Sequence, residues 1–170
     1  MVSSHRKHKA SAGDLPPIRM SVITVSDSRN QKTDENGAYL RREIEAQGHK
    51  LTGMKIVPDE PEAILEVLEN EVRKETQVIL FNGGTGISRR DRTFDAIECR
   101  LEKAIPGFGE LFRYLSYRQI GSAAMLSRAA AGIYRKTLVF LMPGSPKAVR
   151  LAWEELISPE IRHMVWEINR

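Results

Sequence analysis

Apolar and polar positions alternate along this chain with two distinct periods. Ile18 to Val25 is rich in β-branched residues and predicts a buried strand. Beyond the polar segment Ser26 to Gly37, apolar or small residues at Ala38, Leu40, Ile44 and Ala46 predict an amphipathic helix ending at Gln47. Gly48 stops it as a glycine just past a helix end. Leu51 to Val57 predicts a second strand, and Ile64, Leu65, Val67, Leu68 and Val72 give helical spacing from about Glu60 to Lys74. Val78-Ile79-Leu80-Phe81 is short and wholly apolar, as a central parallel strand covered on both faces requires. Helices are expected over Thr93–Ala104 and Phe108–Tyr117, and a strand over Thr137–Leu141. A last helix is expected from Lys147 to Ile157, resuming over Ile161–Ile168 after Pro159. The small apolar stretch Ala123 to Gly132 reads as a packed helix or a subunit contact. Strands alternating with helices predict a right-handed βαβ succession, hence a three-layer α/β sandwich with a mostly parallel sheet and helices on both faces.

The length of 170 residues fits one such domain. With 41% hydrophobic and 28% charged residues the chain can bury a substantial core, which excludes a disordered protein. No apolar run approaches the roughly 20 residues of a membrane span, and the N-terminus lacks the apolar stretch of a secretory signal. Cys99, the single cysteine, can form neither an internal disulfide nor a cysteine-rich zinc site, so a cytoplasmic location is expected.

Lysine and arginine (26) exceed aspartate and glutamate (22), a net charge of +4. Arg6, Lys7, Lys9 and Arg19 against Asp14 supply +3 of it within the first 19 residues. The basic character therefore belongs to the N-terminus, and the folded region gives little reason to expect a nucleic-acid-binding domain. Residues 1–17 are expected to be a flexible basic leader, joined through Asp14-Leu15-Pro16-Pro17 to a single domain over 18–170.

Ligands of parallel α/β sheets bind outside the carboxyl ends of the strands, and four unusual loops fall there. Asn82-Gly83-Gly84-Thr85-Gly86-Ile87-Ser88-Arg89-Arg90-Asp91 follows the apolar strand. Its glycines can adopt positive φ and turn backbone N–H groups toward an anion. The loop is no Walker A sequence, lacking Gly-Lys-Ser/Thr, and no dinucleotide fingerprint, having Arg89 at the third glycine position. Asp91 precedes a helix and suits either an N-cap or a magnesium ligand. Asp59, with Glu62 three residues on, resembles a capping box, yet it stands where a second carboxylate could help hold magnesium on phosphates. Ser26-Asp27-Ser28 and Pro143-Gly144-Ser145-Pro146 suit plain turns or walls of a pocket. Arg128 could meet a phosphate or a carboxylate. A Gly-x-Ser-x-Gly elbow and zinc-chelating pairs are absent. These residues alone lead to an anion-binding α/β protein with two nearby carboxylates, and to phosphoryl or nucleotidyl transfer as the natural chemistry.

Taken together, Thr24-Val25-Ser26-Asp27, Val57-Pro58-Asp59, Gly83-Gly84-Thr85-Gly86 with Arg90-Asp91-x-Thr93, Met125-Leu126-Ser127-Arg128-Ala129 and Met142-Pro143-Gly144-Ser145-Pro146 resemble the MoaB/Mog family of molybdenum cofactor biosynthesis, over about residues 18–165. The resemblance implies a molybdopterin-binding α/β fold assembled as homotrimers or dimers of trimers. It also implies magnesium-dependent adenylylation of molybdopterin by ATP, giving adenylyl-molybdopterin and pyrophosphate for a molybdate-insertion protein. By position, Asp59 and Asp91 match the catalytic, magnesium-holding aspartates. Ser26, Asp27, Gly83, Gly84, Thr85, Gly86, Arg128, Gly144 and Ser145 would bind molybdopterin or nucleotide. The segment Pro106 to Ser116 looks closer to the MoaB branch, and Phe94-Asp95 stands where Pro-Glu is usual. The alternative expectation is a non-catalytic molybdopterin-binding scaffold. A third is a nucleic-acid-binding protein acting through its leader, whose binding would fall steeply with salt.

Overall fold

The computed structural model of the protein describes residues 15–170. The expected leader over residues 1–17 lies outside the described residues except at Leu15, Pro16 and Pro17. Strands β1 (Arg19–Val25), β2 (Lys50–Val57), β3 (Val78–Asn82), β4 (Lys103–Ala104), β5 (Ala130–Tyr134) and β6 (Thr137–Met142) form one sheet in the order β2-β1-β3-β6-β5-β4. The first four in that order run parallel, and β5 and β4 are antiparallel additions at one edge. Helices α1 (Glu35–Ala46), α2 (Pro61–Arg73), α3 (Thr93–Glu98), α4 (Pro106–Ile120), α5 (Pro146–Leu151) and α6 (Ile161–Asn169) connect or follow the strands. A π-helical turn, Ala152–Ile157, extends α5. This is the mostly parallel α/β fold that the alternation predicts.

The period of two along each strand divides the core between the faces of the sheet. Val22, Leu80 and Phe140 lie in register across β1, β3 and β6. They pack with Leu40, Phe108 and Trp153 in one buried cluster, where Phe108 meets Phe140 edge-on at 5.2 Å. One residue along, Ile23, Phe81 and Leu141 face the opposite side with Ile64, Leu68 and Ile97. Both faces of β3 are thus covered, and all five of its residues are buried. Among the described residues no helix is long and apolar enough to cross a membrane.

Three local expectations are corrected. The helix expected over Thr93–Ala104 ends at Glu98, because Lys103 and Ala104 pair with Ile133 and Gly132 of β5. Gly132 permits that approach: a Cβ there would stand 2.6 Å from the Lys103 carbonyl. Nor is Ala123–Gly132 a packed helix. It divides into a 3₁₀ turn, Gly121–Leu126, and the first half of β5. Finally, Asp59 and Glu62 form no capping box, since Glu60 occupies the N-cap of α2 and makes no side-chain capping bond.

Candidate functional site

The parallel strands bring their carboxyl ends to one rim. There β1 runs into Ser26-Asp27, β2 into Pro58-Asp59, β3 into the glycine loop and β6 into Pro143-Gly144-Ser145.

A buried polar network joins these loops from beneath. Thr24 Oγ1 donates to Asp34 Oδ2 (2.8 Å), and Asp34 Oδ1 accepts the Gly37 N–H (3.0 Å), capping α1. Asn82 Nδ2 donates to Thr24 Oγ1 (3.0 Å) and to the Ile23 carbonyl (3.3 Å). Asn36 Nδ2 donates to both Asn82 Oδ1 and the Gly144 carbonyl, each at 2.9 Å. Thr24, Asp34, Asn36 and Asn82 are all buried, so each bond is made where water cannot substitute. Sequence reasoning missed Asp34 and Asn36, and named Asn82 only as the start of the glycine loop, without its role in this network. Asn36→Ala removes the donor shared by Asn82 and Gly144. It is expected to destabilise the fold by about 1–3 kcal/mol in urea unfolding.

The glycine loop sits on this floor. Gly83 and Gly84 have φ of +105° and +63°, a backbone region that side chains disfavour. A Cβ on Gly83 would stand 2.2 Å from the Val25 carbonyl, and one on Gly144 would stand 3.2 Å from Gly83 Cα. The Gly83 N–H donates to the Met142 carbonyl (3.0 Å), and the Gly84 carbonyl accepts the Thr93 N–H (3.1 Å). The loop is thereby stitched to β6 on one side and to α3 on the other.

Asp59 and Asp91 converge on this loop. Asp59 Oδ1 accepts the Arg92 N–H and the Thr93 hydroxyl, each at 3.1 Å. Its Oδ2 lies against Gly84, 2.5 Å from where a Cβ would stand. Asp91 Oδ2 accepts the Ser88 N–H (2.9 Å) and lies 2.7 Å from a Cβ position on Gly86. The N-cap of α3 is Arg92 rather than Asp91. Burial pushes the Asp59 carboxyl above the ordinary aspartate range. The bonds from Arg92 and Thr93 oppose that rise, and the charge of Asp91 adds to it.

Around the mouth, Asp27 links two loops. Its Oδ1 accepts the Asp59 N–H (3.3 Å) and its Oδ2 pairs with Arg90 Nη2 (2.6 Å). Ser26 Oγ accepts the N–H groups of Ser28 (3.3 Å) and Arg29 (3.1 Å), and Ser145 Oγ accepts that of Ala148 (3.3 Å) as the N-cap of α5. Those two hydroxyls stand at the rim but serve their own turns. Arg128 directs its guanidinium at Thr85, Asp91 and Asp95. A cleft of about 620 Å³ opens beside Ser26, Asp27, Arg29 and Lys55 along the β2 edge, on the Asp27 side of the carboxylates.

Among the described residues no group of three or more His, Cys, Asp or Glu side chains could hold a metal by itself. Two carboxylates beside the glycine loop do fit magnesium, which is commonly held by one or two carboxylates together with substrate phosphates.

Comparison with known proteins identifies the family. Residues 21–163 match the family model described as "Probable molybdopterin binding domain". The molybdenum cofactor biosynthesis protein B of Bacillus subtilis is 46% identical over 169 residues, covering 98% of each chain. A crystal structure of a molybdenum cofactor biosynthesis protein B superposes with a TM-score of 0.88 at 46% identity, covering 91% of this chain and 97% of the other. The molybdopterin biosynthesis Mog protein from Mycobacterium ulcerans gives 0.82 at 28% identity, covering 91% and 99%. A family match across most of the chain, the same fold and a rim built from the motifs that first suggested it lead to one conclusion: this chain belongs to the MoaB/Mog family of molybdopterin-binding proteins of molybdenum cofactor biosynthesis.

Proposed function

We propose that the protein adenylylates molybdopterin at this rim. The observation that carries the reading is the convergence of Asp59 and Asp91 on the glycine loop. An oxygen of the terminal phosphate of molybdopterin attacks the α-phosphorus of ATP. The bond from the α-phosphorus to the oxygen bridging it to the β-phosphate breaks, and pyrophosphate leaves with that electron pair. Both partners are polyanions, so positioning and charge compensation dominate the barrier. The Gly83–Gly86 loop offers its backbone to the pterin or phosphate end, with Ser26, Asp27, Gly144 and Ser145 along the pocket wall. Magnesium held by Asp59 and Asp91, when bound, supplies positive charge against the phosphates. Incubation with molybdopterin and ATP is expected to yield adenylyl-molybdopterin and pyrophosphate in equal amounts, and neither when magnesium is chelated. Tight molybdopterin binding without either product would overturn the reading in favour of a scaffold, which the closer likeness to protein B than to Mog keeps as the competing case.

The raised pKa of Asp59 has consequences for both rate and stability. A carboxylate needed in its ionised form gives a rate that falls on acidification. The fold meanwhile favours the protonated form. That preference is fully felt below the unfolded pKa and is lost as pH rises through the folded one. Asp59→Asn keeps an acceptor for Arg92 and Thr93 without the charge. It is therefore expected to be more stable than wild type at pH 7, an advantage that shrinks toward pH 4 in urea unfolding, while losing adenylylation.

Self-assembly into trimers or dimers of trimers belongs to the same proposal. Leu111, Tyr114, Tyr117 and Ile120 form an exposed stripe along α4, continued by Met125 and Leu126 in the 3₁₀ turn. Such a stripe suits contact with a second copy of the chain. Leu111→Asp is expected to shift sedimentation toward the monomer, and an unchanged assembly would place the contact elsewhere.

A further inference from the structure

From its sequence Arg128 suits a phosphate or a carboxylate, and in the structure its donors point into the protein, where they meet the carboxylate of Asp95. Nη1 donates to both oxygens of Asp95 (2.8 and 3.0 Å), Nη2 to the Asp91 carbonyl (3.0 Å) and Nε to the Thr85 carbonyl (3.3 Å). The guanidinium also lies over the Phe94 ring, 4.8 Å from its centroid. An arginine that recognises phosphate presents a free, planar fork, and here all three nitrogens are engaged. The two carbonyls it holds bracket the exposed stretch 87–90, that of buried Thr85 before it and that of half-buried Asp91 after it. Between them the backbone bonds are local: Ser88 N–H on Asp91 Oδ2, Asp91 N–H on the Ser88 carbonyl, Arg90 N–H on Ser88 Oγ and Arg92 Nε on the Arg89 carbonyl, while the Arg90 side chain reaches Asp27. Arg128 itself stands two residues before β5, so its bonds tie this segment to the sheet.

We propose that Arg128 is a positioning residue that braces the glycine loop and Asp91 against the β5 side of the sheet. Phe94 and Asp95 form its seat. The brace acts through the backbone of Asp91, leaving substrate contact to other groups. Its kinetic consequence rests on the adenylylation reading, whereas its structural consequence does not.

The test uses the full chain with Arg128→Met and Arg128→Lys, and reads hydrogen exchange beside adenylylation kinetics. Arg128→Met is expected to speed exchange at the hydrogen-bonded amides of Ser88, Asp91, Arg92 and Thr93 by about tenfold or more, with β3 and β6 unchanged. In kinetics kcat is expected to fall about 10²-fold while KM for ATP moves little, because a misplaced carboxylate rather than a lost phosphate contact limits the rate. Lysine keeps the charge but cannot fork, so Arg128→Lys is expected to behave like methionine. The exchange of Asp95→Arg with Arg128→Asp restores an ion pair without the two carbonyl contacts and is expected to rescue nothing. Should Arg128→Met fail to fold, Asp95→Asn loosens the same seat and is expected to speed exchange at the same four amides to a smaller degree. A raised KM for ATP with unchanged exchange, or rescue by lysine or by the exchanged pair, would overturn the brace. Wild type that transfers no adenylyl group would sink the function instead, and exchange would still decide the brace.

Discussion

Asp91→Ala is expected to lower single-turnover adenylylation by roughly 10²–10³-fold while leaving the protein folded and able to bind molybdopterin. Asp91 is half-buried, and its carboxylate makes one bond to the fold, from the Ser88 N–H. Truncation thus costs the structure about one exposed hydrogen bond, roughly 0.5–1.5 kcal/mol. The transition state loses more, because a carboxylate that organises positive charge on a transferring phosphoryl group acts where charge develops. The same substitution removes a neighbour that raises the Asp59 pKa. The Asp59 resonance in carbon-detected NMR titration should accordingly move toward the ordinary aspartate range. A fall in rate with no movement at Asp59 would separate the two carboxylates and break the shared-site reading.

Gly84→Ala is expected to damage stability and activity together, because the space its Cβ needs is occupied by Asp59 itself. At φ +63° an alanine carries a backbone penalty of about 1–2 kcal/mol. Its Cβ would also stand 2.1 Å from Thr93 Oγ1 and 2.5 Å from Asp59 Oδ2, an overlap of the kind that typically adds about 1–3 kcal/mol. Relief requires Asp59 to leave Thr93, so activity should fall with stability. Gly107→Ala provides the contrast. That glycine is in the first turn of α4 with no atom within 4 Å of a Cβ and no positive φ, and alanine there should be neutral or stabilising by about 0.5–1 kcal/mol. Equal losses from both glycines in thermal unfolding would show that the loop conformation is unimportant.

How much of this was visible in the sequence depended on where each residue finds its partner. The apolar run 78–81 announced β3 because burial on both faces leaves a one-dimensional mark. Ser145 finds its cap partner Ala148 only three residues away, so the start of α5 is a local feature of the sequence. Asp59 misled because its local signal, a capping box with Glu62, lost to partners more than thirty residues on, Arg92 and Thr93. Asn36 and Asn82, 46 residues apart, had no local signal linking them. β5 was hidden for a different reason. It joins β6 through a two-residue turn at Arg135-Lys136, both at positive φ. Such a turn normally advertises itself with glycine or asparagine. Small residues such as Ala131 and Gly132, selected for close strand approach, then looked helical.

The rim motifs were legible as a set and their division of labour was not. Glycines, Asp59 and Asp91 meet where strand ends require them to. Ser26, Ser145 and Arg128 reach the same rim but spend their polar atoms on the protein itself. Only coordinates reveal that kind of internal satisfaction, because a side chain aimed at backbone and one aimed at a ligand share the same letter.

The most direct measurement is a single turnover with ATP labelled at either the α- or the γ-phosphorus, mixed with molybdopterin, magnesium and wild-type protein. Adenylyl transfer at this rim predicts α-label on the pterin and γ-label wholly in pyrophosphate, both vanishing together in Asp59→Ala. γ-Label on the pterin, or bound pterin carrying no label at all, would contradict it.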